Sequence, residues 1–239
     1  MILEVCIDNI RSAIAAKAGG ADRLEVCGPL SVGGTTPSAG LIQQCVELGD
    51  IQTTVMIRPH EGEFCYDQND VQTMLHDIRI AKQLGADGVV FGALTADRRV
   101  DVGVCRRLID AARPMKVTFH RAFDVCADSN AAITCLLQMQ VDRLLTSGLA
   151  PTAIEGCDAL RKLVKQSNGA IAVIAASGVN GDNVGEIIAR TSAPEVHASA
   201  AQLSAPTDYA IDFGGSARTT CEAKVRSLKT RLNELPNVR

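Results

Sequence analysis

The tetrapeptide Leu-Glu-Val-Cys occurs twice near the start of the chain, and its two copies place Glu4 beside Cys6 and Glu25 beside Cys27. In an extended strand, residues two positions apart point to the same face, so each glutamate shares a face with its cysteine. Paired carboxylates suit general acid/base chemistry, whereas paired soft thiolates suit Cu(I). A buried cysteine is also a common small apolar residue, and this second interpretation stays open.

Three further ionisable residues follow short apolar runs: Arg58, His120 and His197. If the runs are parallel strands, these residues and the two glutamates line one polar mouth. Glu4, Glu25, Arg58 and His120 are then the candidate catalytic residues of an enzyme. One carboxyl group would hold a proton unless Arg58 neutralises the pair, and His120 would titrate near neutral pH. A buried ion-pair network that braces the fold is the alternative.

Two turns late in the chain predict a small anion-binding site. Ser177 and Gly178 follow an apolar run and precede a predicted helix, and Ser199 lies in the next such turn. Backbone N–H groups at a helix N-terminus bind phosphate and carboxylate groups. Turns that contain glycine are common after strands, so this signal is weak by itself.

These residues would be positioned by alternating strands and helices. Apolar runs begin near residues 2, 22, 53, 87, 115, 141, 170 and 194. Amphipathic stretches predict helices over 9–19, 37–48, 67–84, 102–112, 129–139, 152–167, 180–191 and 218–233. Eight such units predict an α/β fold, a (β/α)8 TIM-type barrel with residues 1–239 as a single domain. A doubly wound sheet is the alternative, but no GxGxxG follows the first strand.

Composition limits the partners. The 239 residues carry 24 Lys+Arg against 27 Asp+Glu, a formal net charge of −3, which is too balanced for a nucleic-acid-binding surface. No apolar run reaches the roughly 20 residues of a membrane span. The nine cysteines form no CxxC pair, which predicts reduced thiols and a cytoplasmic location. We expect the loop 201–217 to cover part of the mouth.

Seven segments carry a family resemblance. They are residues 3–6, GADRLEVC at 20–27, GGTTPS at 33–38, MIRP at 56–59, VTFHRAFD at 117–124, LTSG at 145–148 and EVHASA at 195–200. Together they resemble the CutC copper homeostasis family over roughly residues 1–200. The resemblance implies a TIM-type barrel, a cytoplasmic homo-oligomer and a role in copper handling. It also implies copper binding by cysteines at the positions of Cys6 and Cys27.

Two functions therefore follow from the sequence. The first is a CutC-like copper homeostasis protein that binds Cu(I) through Cys6 and Cys27, without nucleic-acid or membrane partners. The second is a TIM-barrel enzyme, a lyase or isomerase, that acts by acid/base chemistry on a small anionic or carbonyl substrate. In the second case Glu25 and His120 would move protons, and Arg58 would clamp a carboxylate or phosphate.

Overall fold

A computed structural model describes residues 1–203 and 218–235 of the chain. Eight parallel strands form a closed barrel in chain order, which confirms the predicted (β/α)8 fold. The strands are β1 (Ile2–Ile7), β2 (Arg23–Val26), β3 (Gln52–Met56), β4 (Gly88–Phe91), β5 (Lys116–Phe119), β6 (Arg143–Thr146), β7 (Ala172–Ala175) and β8 (Glu195–Ala198). Each begins within two residues of its predicted start.

Eight α-helices within the described residues surround the barrel. They are α1 (Ile10–Ala18), α2 (Ala39–Glu47), α3 (Gln68–Gln83), α4 (Val102–Ala112), α5 (Ser129–Gln138), α6 (Cys157–Ser167), α7 (Val184–Thr191) and α8 (Glu222–Glu234). Polar residues start several of them: Asn9 accepts the N–H of Ser12, and Asp67 forms a capping box with Asp70.

The main apolar core lies between the barrel and the helices. In β1, Leu3, Val5 and Ile7 are fully buried and belong to this core, as do Leu24 and Val26 in β2. The intervening residues of each strand point into the barrel, because side chains alternate between the two faces. The predicted inward face of the Glu-x-Cys motifs is therefore correct.

Charged side chains fill the N-terminal end of the barrel interior. Arg23, 1% exposed, binds Glu4 on the neighbouring strand and Glu195 on β8. Arg143 lies 3.8 Å from the same Glu195 carboxylate. These residues form a floor beneath the barrel mouth, and they hold Glu4 in place.

The last part of the chain differs from the prediction in one respect. The predicted helix 218–233 begins at Glu222, because Arg218–Thr220 form a strand, β10, that pairs antiparallel with β9 (Ala201–Leu203). The expected cover of the mouth by the loop 201–217 falls mainly on residues 204–217, which lie outside the described residues. Among the described helices, none has the length and apolar character needed to cross a membrane.

Candidate functional site

Three different donor residues meet inside the barrel mouth. One ligand atom each from Cys6, Glu25 and His197 lies within 4.8 Å of the other two. The residues come from three adjacent strands, and the β1–β2 register places Cys6 opposite Glu25. His197 Nε2 lies 3.8 Å from Glu25 Oε2. A thiol, a carboxyl and an imidazole are all metal-binding groups, so the arrangement is a candidate metal centre.

Glu4 orients the imidazole of His197. The Nδ1 atom of His197 lies 2.8 Å from Glu4 Oε1, while Glu4 Oε2 binds Arg23. Burial alone would raise the pKa of Glu4, but the charge of Arg23 and the hydrogen bond with His197 prevail and lower it to about 2. Glu4 is therefore a carboxylate that accepts a hydrogen bond from Nδ1–H of His197. The Nε2 atom of the ring then faces Cys6 and Glu25.

The charge on His197 is set by its acidic neighbours. Burial lowers its pKa, but the facing thiol of Cys6 and the carboxyl groups of Glu25 and Glu4 outweigh this effect and raise the pKa well above 6.5. The ring is thus a cation enclosed by acidic groups.

Cys27 follows Glu25 by two residues, beyond the point where Cys6 pairs with Glu25. Its Sγ donates to Glu25 Oε2 over 3.5 Å, and burial raises the pKa of both groups. Gly34 passes so close that an added Cβ would lie 3.3 Å from Cys27 Sγ. The two cysteines are diagonal across the strands, because Cys6 pairs with Glu25 in the ladder.

Arg58 anchors two loops. Its Nη1 donates to the carbonyls of Val32 and Gly34 at 3.0 Å each, and its Nη2 donates to Gly62 at 2.8 Å. The guanidinium carbon also lies 5.0 Å from the centre of the Phe64 ring. The side chain therefore holds the loops after β2 and β3 around the mouth.

The proton expected on one of the two carboxyl groups falls to Glu25, because burial raises its pKa. Arg58 does not neutralise Glu4. Arg23 forms the ion pair with that carboxylate, and the terminal nitrogens of Arg58 are engaged by backbone carbonyls. Of the three guanidinium nitrogens of Arg58, Nε alone is buried without a hydrogen-bond partner among the described residues.

His120 follows β5 and caps a short 3-10 helix, Arg121–Val125, where its Nδ1 accepts the N–H of Ala122 at 3.2 Å. Burial and the nearby charge of Arg58 lower its pKa to about 3. The expectation that His120 titrates near neutral pH is therefore wrong, since the buried imidazole stays neutral. Its Nε2 is buried and has no partner within the described part of the chain.

The predicted anion-binding residues lie at the ends of β7 and β8. Ser177 is half-buried and donates its hydroxyl to the carbonyl of Pro151 at 2.8 Å, while Gly178 and Ser199 are exposed. The carbonyl of Ser199 accepts a hydrogen bond from Thr220 at 3.4 Å. The hydroxyl of Ser177 is thus already engaged, and anion binding at these turns stays a prediction.

The sequence interpretation missed the floor residues Arg23, Glu195 and Arg143. A usable signal was present, because Arg23 lies two residues before Glu25 and therefore on the same inward face. Arg143 and Glu195 each begin a strand, where a charged side chain reaches the barrel end.

Comparisons with known proteins agree with this architecture. A sequence model of the CutC family matches residues 1–202. A family protein CutC of Glaesserella parasuis is 47% identical over 200 residues, which cover 84% of this chain and 82% of that protein. The human copper homeostasis protein cutC homolog is 45% identical over 199 residues, covering 83% and 73%.

Solved structures show the same fold. A crystal structure of a copper homeostasis protein CutC from Streptococcus agalactiae superimposes with a TM-score of 0.79 at 30% identity, covering 83% of this chain and 98% of that one. Phosphoribosylanthranilate isomerase from Thermotoga maritima matches with a TM-score of 0.60 at 13% identity, covering 98% of this chain and 100% of that one, which indicates a shared barrel fold alone.

Proposed function

The chain belongs to the CutC family, and from this premise we propose that it is a copper homeostasis protein that binds Cu(I) in the barrel mouth through Cys6 and Cys27. The observation that carries the proposal is that both thiols flank the carboxyl group of Glu25. Cys27 Sγ lies 3.5 Å from Glu25 Oε2, and the Cys6 sulfur belongs to the 4.8 Å cluster around the same side chain.

The donor chemistry fits the ion. Cu(I) is soft and prefers thiolate ligands, and the two cysteines supply two such donors within one mouth. Each thiol must lose its proton when it binds the metal. Cys6 is 9% exposed whereas Cys27 is fully buried, so a copper ion that enters from solvent would meet Cys6 first. Copper is the cargo in this proposal.

Anaerobic titration with Cu(I) against a competing chelator tests the proposal. We expect Cys6→Ser or Cys27→Ser to abolish stoichiometric uptake, and Cys45→Ser to leave it unchanged, since Cys45 is an equally buried thiol in α2. Glu25→Gln should matter much less for a soft ion. Wild-type stoichiometry and affinity in the Cys6→Ser/Cys27→Ser double variant would refute the proposal.

A second candidate function is acid/base catalysis on a small anionic or carbonyl substrate. Glu25 Oε1, Thr118 Oγ1 and His120 Nε2 favour it, because all three are buried polar atoms without partners among the described residues. A substrate could satisfy them, with Glu25 as proton donor and neutral His120 as hydrogen-bond donor. Glu25→Gln and His120→Asn should then weaken binding of a small carboxylate probe, whereas both Cys→Ser variants should bind it normally.

We also propose that residues 1–239 form one domain in a cytoplasmic homo-oligomer, with a copper ion or a small anion as its ligand. All nine cysteines are free, as in a reducing compartment. Light scattering would measure the oligomer, and limited proteolysis that releases two stable halves would contradict the single domain.

A further inference from the structure

We propose that Cys6, Glu25 and His197 form a three-donor site for a divalent cation of the zinc class, whose fourth coordination position is left for water or a small ligand. This goes beyond copper binding, because it uses the carboxyl and imidazole groups and does not require Cys27. The site shares only Cys6 with the proposed Cu(I) pair.

The spacing of the donors suits such an ion. Four-coordinate Zn2+ binds sulfur at about 2.3 Å and nitrogen or oxygen at about 2.0–2.2 Å, so its nitrogen and oxygen ligands lie roughly 3.3–3.6 Å apart and its sulfur roughly 3.5–3.7 Å from either. His197 Nε2 and Glu25 Oε2 are 3.8 Å apart, and all three donors lie within 4.8 Å of one another. Small side-chain rotations would bring all three into range.

The imidazole of His197 is held as metal-binding histidines are held. Such histidines donate the N–H that does not face the metal to a carboxylate, which fixes the tautomer and the ring orientation. Here Nδ1 of His197 contacts Glu4 at 2.8 Å, and Arg23 holds Glu4 from the other side. Nε2 is thereby directed at the other two donors.

The unpaired carboxyl oxygen of Glu25 is the second indication of a ligand. Glu25 is 3% exposed, and its Oε1 has no hydrogen-bond partner among the described residues. A buried polar atom without a partner costs free energy unless a ligand satisfies it. A metal ion at this position would bind the carboxylate directly.

The charges favour a divalent ion over Cu(I) in this donor set. When the metal binds, the thiol of Cys6, the carboxyl group of Glu25 and Nε2 of His197 release their protons to solvent. The thiolate and the carboxylate then supply two negative charges beside a neutral imidazole, which a divalent cation neutralises and a monovalent cation does not. Uncompensated buried charge is strongly unfavourable. Mixed sulfur, nitrogen and oxygen donors also match the borderline softness of Zn2+. Three protein donors with one open position are typical of zinc sites that act on a bound molecule.

Titration of the reduced, metal-free protein with Co2+, a spectroscopic substitute for Zn2+, tests the proposal. We expect one Co2+ per chain, with a thiolate-to-cobalt charge-transfer band and the intense visible bands of a four-coordinate ion, both removed by added Zn2+. Cys6→Ser should eliminate the charge-transfer band. Glu25→Gln and His197→Asn should weaken Co2+ binding at least tenfold.

Cys27→Ser separates this site from the Cu(I) pair, because it should retain the Co2+ spectrum while losing Cu(I) uptake. Glu4→Gln tests the positioning role, with a 10–100-fold loss of Co2+ affinity and unchanged band positions. Cys6→Ser and Glu25→Gln leave the Glu4–Arg23 ion pair intact, so both variants should fold. They decide the outcome even if Glu4→Gln or His197→Asn fails to fold. The proposal is overturned if the charge-transfer band survives Cys6→Ser, or if Glu25→Gln binds Co2+ like wild type.

Discussion

Glu4 and Arg23 occupy paired register positions on β1 and β2, and their side chains form an ion pair inside the barrel at 0% and 1% exposure. The same arginine binds Glu195, and the same glutamate binds His197. A continuous chain of contacts therefore links the barrel floor to the imidazole in the mouth. The orientation of His197 therefore depends on the ion pair between Glu4 and Arg23.

Removal of Arg23 should destabilise the protein strongly. Arg23→Met removes the cation that binds both the buried Glu4 and the half-buried Glu195, and it leaves them only His197 and the more distant Arg143. We expect a loss of about 3–5 kcal/mol in the free energy of unfolding. Urea denaturation measures the loss. Arg99→Met is the matched control, because the Arg99–Asp97 pair is exposed and should contribute little to stability. Equal losses in the two variants would contradict the role assigned to Arg23.

Much of this arrangement could be predicted from the sequence, because side-chain alternation requires no knowledge of distant contacts. Glu4, Cys6 and Glu25 were placed on the inward face from period-two spacing alone, and the strand starts followed from the apolar runs. The partners of these residues were not predictable. The stagger between neighbouring strands decides that Cys6 faces Glu25 rather than Cys27, and no local pattern encodes that stagger.

Protonation states were equally inaccessible to sequence analysis. The sequence shows that His120 is a titratable residue at a strand end. Its neutral state depends on burial and on Arg58, which is distant in the sequence. Both arise only when the loop after β3 folds over the mouth. The residue type was therefore predicted correctly, and its charge was not.

The neutral state of His120 predicts a pH-dependent stability. Its pKa is about 3 in the folded protein and near 6.5 in the unfolded chain, so between these values only the unfolded chain takes up the proton. His120 therefore makes stability fall as pH decreases below 6.5, by up to about 1.4 kcal/mol per pH unit. Urea denaturation at about pH 7, 6 and 5 measures the slope.

His120→Asn should flatten this slope, because asparagine does not titrate and still accepts the N–H of Ala122 as a cap. The difference between the two proteins removes the contribution of all other titrating groups. Parallel pH dependences for wild type and variant would show that His120 is protonated equally in the folded and unfolded states.

Asp124 joins the 3-10 helix after β5 to the loop after β6. Its carboxylate accepts the backbone N–H of Ser147 and Leu149 and the hydroxyls of Ser147 and Thr146, and it forms an ion pair with Arg121. Asp124→Asn turns one acceptor into a donor that faces donors. We expect a loss of about 2–3 kcal/mol in the free energy of unfolding, measured by urea denaturation.

Asp97→Asn serves as the control for Asp124→Asn. Asp97 also accepts a side-chain hydroxyl, from Thr95, but its side chain is 63% exposed whereas that of Asp124 is 7% exposed. Its replacement should leave the free energy of unfolding nearly unchanged. A similarly small effect at Asp124 would mean that the loop is held by other contacts.

Replacement of Arg58 by lysine should expose Cys27. A single ammonium group cannot reach the carbonyls of Val32, Gly34 and Gly62 together, so the loop that covers Cys27 loses charge-assisted hydrogen bonds worth about 1.5–3 kcal/mol each. If the free energy of local opening falls by this amount, the open state becomes about 10- to 100-fold more populated. Alkylation of Cys27, followed by mass spectrometry of native protein, should therefore accelerate by that factor in Arg58→Lys.

Cys45 provides the control in the same sample, because it is equally buried but lies in α2, outside the loops that Arg58 binds. Its alkylation rate should stay at the wild-type value, since local opening of the mouth leaves the helix in place. Equal acceleration at Cys27 and Cys45 would instead indicate a general loss of stability, and unchanged rates at both would mean that Arg58 does not hold the loop. Selective exposure of Cys27 is the outcome that places Arg58 among the residues controlling access to the thiol pair.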